Sequence, residues 1–369
     1  MLLAALLDNH SDRCYVQRKS ILRIPIHSEE NMKIQAYVSV SSEDKILKFE
    51  LNPNTGDLKL EGVIDAPGSP GPLATDPQQK FLYAGRRGAS EISSFSIDPK
   101  SGDLVLLGAV SVEADPCYLS TDTTGRFLLS ASYGGGVVGV HAIGENGVAD
   151  GPPVAWHETE KKAHCIMTDP SNNYAFVPHV GESNGIYQFR FDEGTGQLTR
   201  NEPAKVSPEE GVGPRHFVFH PNRNTVYVSN EQGSSVTAYN FDPSNGTLEA
   251  FQTLSTLPGG FTDDNTCAQI HITPSGKFLY VSNRGHDSIA CYAANHETGS
   301  LTAIGREDTE SVPRGFNIDP TGNFLYAGGQ STGMLAAYRI DQNAGTLSPL
   351  TTYEIGKQSM WIEFVTLET

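Results

Sequence analysis

The chain has no stretch approaching the roughly 18 consecutive apolar residues that a membrane-spanning helix needs, and its most apolar run, MLLAALL, stops at Asp8. It is not expected to span a membrane. Cysteine is scarce and scattered. Cys14, Cys117, Cys165, Cys267 and Cys291 are odd in number and contain no C-x-x-C, which indicates neither a disulfide framework nor a cysteine zinc site. A cytoplasmic location is expected from this usage. Positive charge is also in short supply: 26 Lys and Arg against 43 Asp and Glu give a net charge of −17, a field that repels nucleic acid and anionic lipid. An anionic ligand must therefore meet a local exception. Helical periodicity of useful length is absent, and 37 Gly with 22 Pro fall short of a low-complexity polymer.

The first 31 residues lack both a basic stretch before MLLAALL and a small-residue cleavage site after it, which argues against a secretory signal. They are expected to be an N-terminal extension outside the fold, with residues 32–369 forming it. Met32 opens MKIQAYVSV, the first clean strand pattern. A chain that starts at Met32 is expected to melt at the same temperature as the full chain, and loss of the folded core would show that residues 1–31 belong to it.

What the sequence does contain is a repeat. A hydrophobic strand is followed by a phrase such as TDPQQKFLYAG, TDTTGRFLLSAS, TDPSNNYAFVPH, FHPNRNTVYVSN, ITPSGKFLYVSN or IDPTGNFLYAGG, then by a further strand and a glycine turn. The apolar residues that close those turns are Leu58, Leu104, Val148, Leu198, Leu248, Leu301 and Leu347, spaced 44 to 53 residues apart. Seven units of this size, each with three to four short runs separated by Pro, Gly, Asn and Asp, predict an all-β, seven-bladed β-propeller of four-stranded antiparallel blades. The chain begins on a second-strand pattern and ends on an unmatched first-strand pattern, SMWIEFV. That C-terminal strand is expected to join the N-terminal blade and close the ring, which removes two free edges. The Asp and Pro of the DPxxG turns are explained by turn chemistry rather than by calcium ligation.

In an antiparallel blade, the start of the first strand and the end of the second reach the same face beside the channel. Six residues before each turn proline, or before Thr123 in the third unit, stand Gly71, Cys117, His164, Arg215, Ala268 and Arg314. Ten residues after stand Arg87, Tyr133, Val180, Glu231, Arg284 and Gln330. Four arginines, a histidine and a glutamate thus fall at equivalent positions, with His179, His216 and His271 close by in sequence. A solvated strand end accounts for any one of these arginines, but their coincidence in register favours a basic site at one mouth of the channel. GESNG, Gly181 to Gly185, matches G-x-S-x-G, yet it lies in a strand-to-strand connection, so Ser183 is not expected to be a nucleophile. Gly134, Gly135 and Gly136 read as a tight turn, because no GK[ST] follows them. No histidine set has zinc spacing.

The phrases KKAHCIMTDP, GPRHFVFHP, SNEQGSSV, QIHITPSGKFLYVSNR, VPRGFNIDPTGNFLYAGGQ and SMWIEFV resemble the seven-bladed propeller lactonase family across residues 32 to 369. The nearest-looking branch is the propeller-type 6-phosphogluconolactonases; the 3-carboxymuconate-lactonizing enzymes are more distantly similar. The resemblance implies a channel-mouth site using His164, Arg215, Glu231 and Arg284, with His216 and His271 nearby and no required metal or cofactor. The third unit departs from the pattern, since TDTTGRF lacks the proline and VHAIGENGV lacks G-x-L.

Lactone hydrolysis needs a base for water, donors for the tetrahedral oxyanion and cations for a phosphorylated substrate. Glu231 is expected to be the general base or the group that orients a histidine base, with His164 as rival base. His164 and His216 are candidates for proton transfer and oxyanion stabilisation. Arg215, Arg284 and Arg314 would bind phosphate or carboxylate, with His271 and Gln330 completing the substrate contacts. The expected partner is a small anionic lactone, the 6-phosphogluconolactone that the branch implies, handled by a monomer or weak homo-oligomer without nucleic acid or membrane. Two alternatives remain: an intramolecular lyase of the muconate-lactonizing type and a non-catalytic propeller scaffold.

Overall fold

The recurring turn between the first and second strand of each repeat is built around its aspartate. In the computed structural model, which describes residues 33–367, Asp319 Oδ1 accepts hydrogen bonds from the backbone N–H groups of Asn323 and Phe324 at 2.9 and 2.7 Å. Asp76, Asp122 and Asp169 do the same at the corresponding turns. A short carboxylate that satisfies two otherwise orphaned donors explains why this residue recurs.

The described residues form seven four-stranded antiparallel sheets arranged as the blades of a propeller. The inner strands are Pro70–Thr75, Pro116–Thr121, Met167–Thr168, Pro214–Phe219, Thr266–Ile272, Pro313–Ile318 and Ser359–Leu367. The last of these pairs antiparallel with Lys33–Val40, so the first blade is assembled from both ends of the described chain, as expected. The expected extension, residues 1–31, lies outside the described residues. Gly315 marks a tight approach beside this closure. A Cβ there would lie 2.7 Å from the Met360 carbonyl oxygen, so only glycine lets the neighbouring inner strands come this close.

The two recurring phrases meet across blade interfaces. Tyr37, from the second strand of the first blade, donates its hydroxyl to the carbonyl of Gly102, the turn glycine of the next blade, at 2.6 Å. Tyr83 reaches Gly147, Tyr227 reaches Gly299, Tyr280 reaches Gly345 and Tyr326 reaches Gly56 in the same way. Each tyrosine buries its ring between blades and satisfies its hydroxyl on the neighbour's turn, so burial and hydrogen bonding fix the spacing together.

Two elements differ from the sequence pattern. In the third blade, Val148 does not open the outer strand. Gly144 N donates to the Val148 carbonyl, Ile143 bridges Ala149, and this extra hairpin delays the outer strand to Ala155–Glu158. In the fourth blade the inner strand shrinks to Met167–Thr168, leaving His164 in an irregular stretch.

Candidate functional site

Side chains alternate faces along a regular strand, so adjacent Arg215 and His216 should point to opposite sides of their blade. A break in register removes that restriction. The pairing of Pro214–Phe219 shifts between Pro214 and His216, leaving Arg215 as the extra residue of a bulge. Corresponding shifts fall at Pro70/Leu73, Pro116/Tyr118, Cys267/Ile270 and Pro313/Gly315. In the closing strand Ser39 pairs with Trp361 and Val40 with Ser359, which skips Met360. The bulge therefore recurs near the start of the inner strands and lets consecutive residues such as Arg215 and His216 reach one recess. The result is a recess lined by Pro72, Cys117, His164, Arg215, His216, Gln269, Arg314, Met360 and Trp361, with a volume of about 250 Å³ including the part open to solvent.

Two neutralising arrangements organise this recess. Arg215, with its side chain 1% exposed, donates from Nε to Glu231 Oε2 at 2.8 Å. Arg284 Nη2 lies 3.1 Å from the same oxygen and also donates to the Cys267 carbonyl. Gln232 Nε2 donates to Glu231 Oε1 at 3.2 Å, so both carboxylate oxygens are engaged. At the second blade, Arg87 pairs with Asp115 at 2.6 Å. Arg314 has no carboxylate partner among the described residues. Four arginines against two carboxylates leave an excess of two positive charges, a local exception to the field of an acidic chain.

Burial, then Arg284 and Arg314, push Arg215 down to about 9, with Glu231 opposing them. Burial, then Arg284 and Arg87, push Arg314 down to about 10. Both guanidiniums remain charged at neutral pH. Burial alone would raise the Glu231 carboxyl, but Arg215 and Arg284 outweigh it and hold the group below its ordinary range. Burial and the nearby arginines hold His164 and His216 well below theirs, so both are neutral at pH 7.

His216 Nε2 and His164 Nδ1 are 3.3 Å apart. Two neutral imidazoles carry two N–H groups and two lone pairs, and their mutual bond consumes one of each. Whichever tautomer is present, the pair keeps one free lone pair and one free N–H at its outer nitrogens. The arrangement can accept one proton and donate another. Arg215 adds a donor, because its Nη1 is buried without a hydrogen-bond partner among the described residues.

The sequence-derived residues thus separate into groups. His164, His216, Arg215 and Arg314 line the recess. Glu231 and Arg284 stand behind Arg215, and the carboxylate is part of the arginine cluster rather than of the lining. Gln330 lies at the edge, donating to Gln358 Oε1 at 3.2 Å and touching Met360 Sδ at 3.1 Å. His271 is not brought into the recess. It lies beyond the bulge on Thr266–Ile272 and lines a separate cavity further along the channel. Burial pushes its imidazole down to about 4. Ser183 donates its hydroxyl to the Lys161 carbonyl, and Gly136 N closes its turn on the Ser132 carbonyl, so neither motif forms a separate site. Sequence reasoning missed Gln269, Met360 and Trp361. The signal was the register itself, since Gln269 follows the Ala268 position and Met360 is the seventh member of the same series. Among the described residues, no group of three or more His, Cys, Asp or Glu is placed to hold a metal ion.

Comparison with known proteins gives a consistent picture. Residues 34–364 match the family described as Lactonase, 7-bladed beta-propeller. The 6-phosphogluconolactonase of Pectobacterium carotovorum subsp. carotovorum is 38% identical over 337 residues, covering 91% of this chain and 86% of that protein. The 6-phosphogluconolactonase of Erwinia tasmaniensis is 37% identical over 331 residues, covering 90% and 98%. The periplasmic gluconolactonase of Pseudomonas aeruginosa superposes with a TM-score of 0.83 at 23% identity, covering 91% of this chain and 99% of that one, a likeness of fold alone.

Proposed function

This chain belongs to the lactonase family of seven-bladed β-propellers, and from that premise we propose that it hydrolyses 6-phosphogluconolactone to 6-phosphogluconate in the channel-mouth recess. The observation that carries this reading is a neutral histidine pair beside a positively charged arginine cluster in a chain of net −17. Relatives at 37–38% identity named 6-phosphogluconolactonase support the choice of this lactone.

The outer lone pair of the histidine pair takes a proton from water as the water oxygen bonds to the lactone carbonyl carbon. The carbonyl π electrons move to oxygen, where the free Nη1 of Arg215 stabilises the developing charge. Collapse breaks the bond to the ring oxygen, and that oxygen keeps the electron pair and takes a proton from the imidazolium. The product is the open-chain hydroxy acid. Glu231 holds Arg215 and Arg284 in place, and Arg314, the cation without a carboxylate partner, binds the phosphate. A metal is not part of this reading, because Glu231 and Asp115, the two carboxylates of the arginine cluster, are committed to guanidiniums and the recess lining is cationic or neutral. The cytoplasm is the compartment assigned, in keeping with four buried, unpaired cysteines among the described residues.

The test is the rate of the purified protein on 6-phosphogluconolactone, corrected for spontaneous hydrolysis. No excess rate would remove the assignment. If Arg314 grips the phosphate equally in ground and transition states, Arg314→Ala should raise KM with little change in kcat. A fall in kcat at unchanged KM would place Arg314 at the reacting carbonyl instead.

A further inference from the structure

Ring closure explains why Ser359–Leu367 pairs with Lys33–Val40, but not why that strand carries Trp361 and Glu363. Trp361 is shared between two spaces. It lines the recess and also a second cavity further along the channel, of about 720 Å³ including the part open to solvent, together with Thr75, Tyr118, His271 and Glu363. The indole therefore partitions the channel. Its ring centroid lies 5.9 Å from that of His216. Tyr118 meets both rings edge-on, at 5.0 Å from His216 and 5.3 Å from Trp361. On the side away from His216, Trp361 Nε1 donates to Glu363 Oε2 at 3.3 Å, and Thr75 Oγ1 donates to Glu363 Oε1 at 3.2 Å. Two residues apart on a strand, Trp361 and Glu363 share one face.

The torsion that turns an imidazole about its Cβ–Cγ bond is soft, so its plane must be set by its surroundings. Among the described residues, the only side-chain hydrogen bond of the His216 ring is the one to His164. Packing against Trp361 and Tyr118 supplies the remaining constraint. The indole has the same soft torsion, and its N–H bond to Glu363 holds it. Burial of a carboxyl is costly and pushes Glu363 up to about 7, against the N–H of Trp361 and the hydroxyl of Thr75. A strand that only closed the ring would be better served by an apolar residue at that position.

We propose that Trp361 and Glu363 are positioning residues of the lactonase site: Trp361 forms the floor that sets the His216 imidazole against His164, and Glu363 fixes the indole. The inference rests on the reading that the histidine pair transfers the proton. Neither residue touches the reacting atoms, so their effect should appear in kcat and in the behaviour of His216 itself.

The experiment combines kinetics on 6-phosphogluconolactone with an NMR titration of the His216 ring, its signal assigned through His216→Gln. In the wild type, burial together with Arg215, Arg314, His271 and Arg284 holds this ring well below the ordinary histidine range and so neutral, and His164 faces it at 3.3 Å. Trp361→Ala is expected to lower kcat by about 10- to 100-fold, the scale of an ångström of misplacement, with a far smaller change in KM. It should also move the His216 titration upward, because water reaches the ring. Trp361→Phe, which keeps a ring but loses the N–H, should recover most of that kcat. Glu363→Gln in a Trp156→Phe background, where Trp361 is the only tryptophan, should shift the indole emission and lower kcat.

Wild-type kcat and an unmoved His216 titration in a folded Trp361→Ala variant would overturn the proposal. So would a parallel loss of kcat and melting temperature without any change at His216. If Trp361→Ala does not fold, Glu363→Gln decides, and unchanged kcat, indole emission and His216 signal in that variant would be fatal. A wild type without lactonase activity whose His216 titration still responds to Trp361 would sink the functional reading and leave the positioning intact.

Discussion

Replacing His164 or His216 with Gln is expected to lower kcat by about 10²–10⁴-fold, the usual contribution of a positioned general acid–base group, while the protein still folds. The two rings act as one device, sharing a hydrogen bond of 3.3 Å. The double variant should therefore lose little more than the worse single variant. Both imidazoles have folded-state pKa values held well below 6.5, first by burial and then by neighbouring arginines. The neutral, base-competent form thus persists below pH 6.5, and kcat/KM should stay flat from pH 7 into that range before its acid limb begins. Stability follows the same sign. A histidine with a depressed folded-state pKa contributes stability that is fully present above its unfolded value, near 6.5, and is lost as pH falls toward the folded one. Circular dichroism beside the pH–rate profile separates protonation of the pair from unfolding. Single variants that each keep kcat within about tenfold of wild type would place the base elsewhere, since that is less than the range for such a group.

The blade repeat was legible because two local signals recur for separate physical reasons and meet in space. The aspartate caps its own turn, and the tyrosine of the following strand satisfies its hydroxyl on the next blade's turn glycine. Closure by SMWIEFV was equally legible, since an unmatched first strand has one place to go. The third blade was not, because Gly144 to Val148 imitates the usual turn while forming an extra hairpin. In the site, register alone located Arg215, His164 and Arg314, but register implies strict alternation and so cannot explain how His216 joins Arg215. The bulge does that, and it leaves no mark in composition. Sequence proximity carries no depth either, and His271 lines the second cavity with Thr75, Tyr118 and Glu363 rather than the recess.

Glu231 is where the choice between chemistry and architecture has the largest consequence. Both of its oxygens are engaged, one by two arginines and the other by Gln232. Arg215 is buried almost completely. Removing one partner of such a pair strands the other charge in a site water barely reaches. Glu231→Ala is therefore expected to cost about 3–5 kcal/mol of stability, together with most of the activity. Glu231→Gln keeps the shape but not the charge, and it separates two roles. A general base would lose kcat and leave the melting temperature alone. An anchor for the arginines would lower the melting temperature, raise KM and reduce kcat together, which is the outcome expected here. Combining Arg215→Met with Glu231→Gln removes both buried charges of the closest pair, and replacing such a pair by groups of similar volume is often neutral. The double variant should recover most of the lost melting temperature while remaining inactive, because the oxyanion donor has gone with the arginine. A Glu231→Gln protein that melts like the wild type and retains KM but not kcat would return the base to Glu231 and leave the histidine pair to stabilise the oxyanion.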